Sequence, residues 1–597
     1  MAALIEDHGI IGDLHTAALV STEGDIDWLC LPRFDSPSVF ASILDDERGG
    51  RFSVRCAGAT RVKQMYLPDS NVLLTRFLGE HSVGEVVDFM VPHEQGSTPR
   101  GASQLVRLVR AVRGRVEVDI RCAPAFDYAR ARTEVEIVEG SGAFFFSPLA
   151  QLVLRSTVPL TADGSAAVAH PVLEEGESLA LALSRWGSPQ PLGMGEVQDL
   201  LAATLGYWQR WIRRSRYRGR YREMVERSAL TLKLLVYQPT GALVAAPTTS
   251  LPEAIGGTRN WDYRFTWVRD ASFTVYALMR LGFTEEAGAF MTWLEARCIE
   301  ASAEKGLHIL YGIDGDVVGS ESTLDHLRGY RDSSPVRIGN GAAHQLQLDI
   351  LGEVMDSLHL YDRSGRPVSY ELWTAMCRQL DWLESHWEEA DCGVWEVRGP
   401  QQRFTYSSLM TWVAFERAGR LARRRGLPAP LAAWRQAADR AYLQVQEHDW
   451  NPQLGAYVQY PGSTTLDAGA LMIPLVGFSG AEDPRFLSTL ERLQSDLVTD
   501  SLVHRYRADG SDGFDEPEGT FNLCSFWYVE ALTRAGRLDQ ARHTFEKMLT
   551  YANHLGLYSE EIGPSGEALG NFPQAFTHLG LIRAAAKLDR ALARAGR

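Results

Sequence analysis

Two glutamates carry the clearest chemical signal in this chain. Glu396 lies in Gly393-Val394-Trp395-Glu396-Val397-Arg398-Gly399, and Glu560 in Leu557-Tyr558-Ser559-Glu560-Glu561-Ile562-Gly563-Pro564. Each segment reads as a short loop just before a helix. Two carboxyl groups facing each other across a pocket can divide a hydrolysis, one protonating the leaving oxygen and the other activating water. Trp395 could shield its neighbour and raise that carboxyl's pKa, as a general acid requires. A lone glutamate is usually a surface charge, and Trp387-Glu388-Glu389 reads that way at the end of a helical pattern. Glu396 is set apart by its Gly-bounded turn and by Phe404-Thr405-Tyr406 opening the next helix. The Gly/Pro-rich turn after Glu560 and Glu561 suggests a shaped loop.

Two further segments have residue types suited to a sugar. Arg259-Asn260-Trp261-Asp262-Tyr263-Arg264-Phe265-Thr266-Trp267-Val268-Arg269-Asp270 packs two Trp, two other aromatics, three Arg and two Asp into the approach to a helix. Indole rings stack on the C–H faces of a sugar, and its hydroxyls suit Asp acceptors and Arg donors. Asp270 could instead cap the helix and pair with Arg269, but capping alone does not need the aromatics. In Ser334-Pro335-Val336-Arg337-Ile338-Gly339-Asn340-Gly341, Arg337 and Asn340 could donate to a ligand, or Asn340 could simply cap a helix.

The elements that position these segments have two textures. Up to about residue 190, short runs rich in Val, Leu and aromatics alternate with Gly, Pro, Asp and Ser. They predict strands at 17–20, 26–30, 71–77, 84–91, 103–112, 116–122, 133–139, 143–146, 152–156 and 179–186, in an antiparallel sandwich. A helical stretch follows at 195–214. The basic run Arg213–Arg220 reads as a solvated linker face rather than an anion site. Beyond it, helical periodicity predicts about twelve helices, at 221–237, 270–281, 284–303, 339–360, 368–387, 405–425, 430–447, 466–478, 484–497, 522–535, 538–551 and 573–595. Six pairs of helices can close into an (α/α)6 barrel, although periodicity alone does not separate this from an open solenoid. The expected division is a β-sandwich at 1–192, a helical linker at 193–220 and a helical domain at 221–597.

Bulk properties narrow the function. The 597 residues are 45% apolar and 23% charged, with a net charge of −15. That balance is globular, and it argues against nucleic acid or an anionic membrane as the main partner. The start, Met1 to Asp7, has neither the basic nor the apolar region of a secretory signal, and no apolar run is long enough to span a membrane. Seven scattered cysteines with no metal-ligand spacing fit reduced thiols in a cytoplasmic protein. No metal and no cofactor is expected. A homo-oligomer is compatible with the sequence.

The four segments WDYRFTWVRD, SPVRIGNGAAHQ, GVWEVRG…FTYS and YSEEIGP occur in one order, behind an opening that runs from Gly12-Asp13 to Phe34-Asp35-Ser36. Together they resemble glycoside hydrolase family 15, the glucoamylase and bacterial trehalase family, over nearly the whole chain. The resemblance implies a β-sandwich followed by an (α/α)6 barrel. It also implies an inverting hydrolase that releases one terminal α-linked glucose. On that resemblance Glu396 matches the general acid and Glu560 the general base, with Glu561 the nearest competitor. Trp267, Arg269 and Asp270 match the set that binds the terminal glucose, with Arg269 and Asp270 on its 4- and 6-hydroxyls. Tyr263 is placed to stabilise the oxocarbenium-like transition state. Arg337 matches a second sugar contact, and Trp395 and Glu561 complete the expected substrate-binding set.

Among family substrates, a small disaccharide, trehalose, is favoured over isomaltose or maltooligosaccharides. The loop Pro32–Phe40 is expected to reach over the pocket and block longer chains. A phosphorylase would need a phosphate site where Glu560 stands. A transglucosylase or an inactive glucan-binding protein are the other readings.

Overall fold

The computed structural model describes residues 3–92, 104–185, 187, 190–301, 306–507, 512–514, 516 and 518–596. The expected strands at 103–112 and 179–186 are present as Gln104–Arg113 and Ser178–Ser184, while residues 103 and 186 lie outside the described residues.

Among these residues, two antiparallel sheets make up the N-terminal part. One has the spatial order His8–Gly12, Ala17–Ser21, Asp25–Cys30, Arg51–Cys56, Val116–Ala123, Ala166–Ala169, Thr161–Asp163, with Ser38–Phe40 and Val172–Leu173 pairing alongside. The other runs Glu134–Val138, Gly142–Phe146, Gln151–Ser156, Ser178–Ser184, Gln104–Arg113, Val83–Met90, Leu73–Leu78, Arg61–Tyr66. The two-residue repeat of a strand sorts the side chains. Leu179, Leu181 and Leu183 join the main core, whereas Ala180 and Ala182 join a second cluster on the opposite face. Helix Met194–Ile212 covers that second face with Leu200, Leu201 and Leu205.

A fully buried ion pair ties the sheets together. Arg107 and Asp88 are register partners in the second sheet, and Arg107 Nε donates to Asp88 Oδ1 at 2.8 Å. The same guanidinium donates to the carbonyls of Phe52 and Gly24 in the first sheet. Its donors are thereby occupied, the condition under which a buried charge is tolerated.

The basic run after this helix is mostly engaged by its neighbours. Arg214 pairs with Glu285 and Glu286, Arg220 with Asp589, and Arg218 donates to backbone carbonyls.

Among the described residues, eleven helices and one short helical pair then form two layers. The inner layer is Ala271–Leu281, Ile350–Arg363, Thr405–Arg425, the short pair Ala468–Leu471 and Met472–Leu475, Asn522–Arg534, and Ala575–Arg594. Each packs on the next, and the last packs back on the first, so the ring closes. Arg222–Leu235, Thr284–Glu300, Tyr370–His386, Leu431–Leu443, Pro484–Asp496 and Leu538–Met548 lie outside it. Burial separates the layers as physics requires. Every residue from Asn522 to Thr533 is buried, whereas Pro484–Asp496 buries only one stripe, Phe486, Thr489, Leu490 and Leu493.

Two sequence expectations need correcting. The helix expected over 339–360 begins only at Ile350; Asn340 caps a short 3₁₀ turn at Gly341–His344 instead. The intervening Gln345 and Leu348 are drawn off to support the site, Gln345 donating to the carbonyls of Glu396 and Val397, and the Leu348 N–H to Asp391. The helix expected over 466–478 is only the short pair at 468–475, with Pro474 inside it and Gly477 at a positive φ of 78° just beyond. Among the described residues no helix is long and apolar enough to cross a membrane.

Candidate active site

The loops entering the inner helices converge at one end of the ring around a pocket. Glu396 and Glu560 both line it, together with Tyr263, Arg269, Trp395, Trp261, Phe514 and Phe576.

Glu396 sits at the tip of its turn with φ 59°, a left-handed conformation that is strained for a residue other than glycine. Its N–H donates to the Gly393 carbonyl. Oε1 accepts from Trp267 Nε1 at 2.7 Å and from Arg269 Nη1 at 3.1 Å. Arg269 also donates to the Val394 carbonyl, which locks the two segments together. Trp395 lines the pocket but turns its indole N–H onto Asp467, at 2.9 and 3.0 Å from the two oxygens. The residues that bond the Glu396 carboxylate are therefore Trp267 and Arg269, and Trp395 supports the turn through Asp467.

Glu560 has no solvent exposure. Tyr263 OH donates to its Oε1 at 2.5 Å. Gly570, with φ 72°, presses against the carboxylate: a Cβ there would stand 2.5 Å from Glu560 Oε2. Burial, and then the nearby Glu253 carboxylate, push Glu560 up to about 8, against the pull of Tyr263 and Arg505. Glu561 opens the two-residue strand Glu561–Ile562 and does not line the pocket. It accepts from the Gly519 N–H at 2.9 Å and lies 3.4 Å from Arg505. Of the two adjacent glutamates only Glu560 lines the pocket.

The remaining predicted residues fall behind this wall. Asp270 pairs with Arg269 at 3.2 Å, and its side chain makes no cap bond to the helix it precedes. Burial raises it to about 6, although Arg269 opposes. Trp267 is 2% exposed, and it reaches the pocket only through Glu396. Arg337 is not among the pocket-lining residues. Its guanidinium donates to the carbonyls of Thr258 and Asn260, pairs with Glu321 and stacks on Trp261 at 4.6 Å. Arg398 stacks on the same indole at 4.7 Å, so Arg337 and Arg398 together brace the Trp261 wall. No residue of Pro32–Phe40 lines the pocket either: that loop is held by Arg264 donating to the Ser36 carbonyl and by an Arg33–Asp314 pair.

Reading the sequence missed a buried charge cluster beside Glu560. Arg505 bonds Glu253 at 3.1 Å and Glu518 at 2.5 Å, and Arg259 bonds Glu518 at 3.0 Å and Asp512 at 2.6 Å. These residues come from distant loops with no shared local pattern. Only Arg259, at the head of the aromatic segment, carried any local signal. Glu253, Glu518 and Glu561 converge as closely as the ligands of a cation would, but their counter-charges are the two arginines.

With this geometry in hand, comparison with known proteins is specific. Residues 219–586 match the sequence profile of glycosyl hydrolases family 15, and residues 1–188 match a trehalase-like N-terminal domain. The chain is 38% identical to a trehalase of Thermoplasma volcanium, covering 98% of this chain and 94% of that one. It is 39% identical to a trehalase of Mycobacterium tuberculosis, covering 98% and 90%. Its fold superposes on a bacterial glucoamylase solved with acarbose, at TM-score 0.71 and 13% identity, covering 98% and 94%. The chain is a glycoside hydrolase and belongs to glycosyl hydrolases family 15.

Proposed function

We propose that this enzyme hydrolyses trehalose by inversion, with Glu396 as general acid and Glu560 as general base. The observation that carries the reading is that these two carboxyls, from separate loops, line one pocket and are both held by the single segment 263–269. The small α-glucoside is favoured by the trehalases among its relatives.

In this reading a glucosyl unit sits against Tyr263 and Trp261 with its anomeric carbon between the carboxyls. Glu396 protonates the glycosidic oxygen as the bond to the anomeric carbon breaks. Glu560 removes a proton from the water that attacks the opposite face, so the new C–O bond forms with inverted configuration. Tyr263 holds Glu560 on the side of that water. Burial makes Glu560 the stronger base once ionised, because a carboxylate deprived of solvent binds a proton more tightly. The aromatic wall of Trp261, Phe514 and Phe576 offers apolar faces to the sugar ring.

The test is glucose release from trehalose, isomaltose and maltose at equal concentration. Trehalose should be cleaved fastest. Preferential cleavage of maltose or isomaltose would transfer the reading to an exo-glucosidase of glucoamylase type.

A further inference from the structure

Five carboxyl groups, Glu253, Glu518, Glu560, Glu561 and Asp512, gather on one side of the pocket around two arginines, Arg259 and Arg505. Among the described residues no third basic side chain forms an ion pair with them. Full ionisation would leave an excess of negative charge in a place with almost no solvent, which is costly at low dielectric.

Glu253 is the member that joins this cluster to the reaction. It lines the pocket with Glu560 and Glu396, yet is only 2% exposed. Its Oε2 lies 3.1 Å from Arg505 Nη2 and 3.9 Å from Arg259 Nη1. Its backbone is clamped on both sides. The Glu253 N–H donates to the Arg259 carbonyl at 3.1 Å, and the Pro252 carbonyl accepts from the N–H of Gly570, the glycine against which Glu560 rests. The groups that bear on Glu560 are Tyr263 from the aromatic segment, the Asn571 N–H at 3.4 Å, Glu253 from the preceding loop and Arg505 from the loop before helix Asn522–Arg534, with Glu561 next in sequence and Glu396 lining the same pocket.

We infer that Glu253 is a positioning residue for the hydrolysis, which, through its hold on Arg505, sets the pH at which Glu560 becomes available as a base. The inference rests on the assignment of Glu560 as that base. A charged Glu253 opposes ionisation of Glu560 directly, and it also engages an arginine that would otherwise favour it. Burial is the largest influence on both groups, and Glu253 is the next largest on Glu560.

The experiment is the pH profile of kcat/KM for trehalose, which reports ionisations of the free enzyme. Glu253→Gln removes the charge and keeps the shape, so the acidic limb should move down by about one pH unit. Glu253→Asp keeps the charge and should hold the limb near its wild-type position. A Glu253→Gln enzyme that folds, with rate altered or not, and keeps the wild-type limb would overturn the inference. Should that variant fail to fold, Glu518→Gln frees the same arginine from its other side. It should shift the limb in the same direction, and an unmoved limb there would overturn the inference equally. Glu560→Gln separates the two levels. If it stays active the base assignment itself is wrong; if it is inactive while the limb of Glu253→Gln stays put, only the role of Glu253 fails.

Discussion

The Tyr263 hydroxyl donates to Glu560 Oε1 at 2.5 Å, and four residues later Trp267 donates to Glu396 Oε1 at 2.7 Å. One short segment therefore sets the position of both carboxyls relative to each other. In a reaction whose geometry requires a water on one side of the sugar and an acid on the other, this shared mount fixes the gap.

Removing the phenol should be felt in the chemical step. Tyr263→Phe deletes a hydrogen bond to a carboxylate, an interaction that contributes about 1.5–3 kcal/mol. The expected result is a kcat lower by roughly 10- to 100-fold with a smaller change in KM. Steady-state kinetics on trehalose would check it; an unchanged kcat would remove Tyr263 from the mechanism.

The two carboxyls should fail in different ways. Glu396→Gln and Glu560→Gln should each cut trehalose turnover by about 10²–10⁴-fold. With α-glucosyl fluoride, whose leaving group needs little protonation, Glu396→Gln should recover much of its rate while Glu560→Gln should not. The reverse pattern would exchange the acid and base roles.

The pH dependence follows from burial of Glu560. Its folded-state value is raised to about 8, and in the proposed role it works only when ionised. Activity should therefore climb with pH on an acidic limb well above the ordinary glutamate value of roughly 4.3. The same shift has a sign for stability. A carboxyl raised in the folded state stabilises the fold at pH below its unfolded value, and that contribution is lost as pH rises through the folded value. Glu560→Gln should accordingly lose less stability than the wild type as pH rises from the unfolded value through about 8, measured by thermal unfolding.

Gly570 is a test of packing against the site. Its φ of 72° already disfavours a side chain, and a Cβ would collide with the Glu560 carboxylate. Gly570→Ala should lower kcat by displacing Glu560 and should cost about 1–2 kcal/mol for the left-handed backbone. Full activity would show that Glu560 tolerates movement.

Far from the pocket, Arg107→Ala should destabilise by about 3–5 kcal/mol, since it leaves the Asp88 carboxylate buried and unpaired. Thermal unfolding should show the loss, whereas the double variant Arg107→Leu with Asp88→Leu should recover part of it.

Much of this arrangement was legible in the sequence, for identifiable reasons. Helix Thr405–Arg425 matches the bounds expected from its periodicity, and Asp483 caps Pro484–Asp496 through bonds to the N–H groups of Arg485 and Phe486. Strand Arg61–Tyr66 escaped because it is an edge strand that buries only Gln64, so no apolar alternation marks it. The direction of Arg337 was not legible because a sequence names a residue type without its orientation, and the guanidinium is taken up by two backbone carbonyls and an indole. Glu253 and Arg505 were invisible for a related reason: they meet only once the ring of helices has closed.

Trehalose hydrolysed in ¹⁸O-labelled water and followed by proton and carbon NMR before mutarotation tests the two-carboxylate mechanism most directly. Inversion predicts α- and β-glucose in equal initial amounts, with the label confined to the β-anomer, because water attacks one glucose while the other leaves with the original bridging oxygen. Release of α-glucose alone, with label in half of it, would mean retention and would contradict the roles assigned to Glu396 and Glu560.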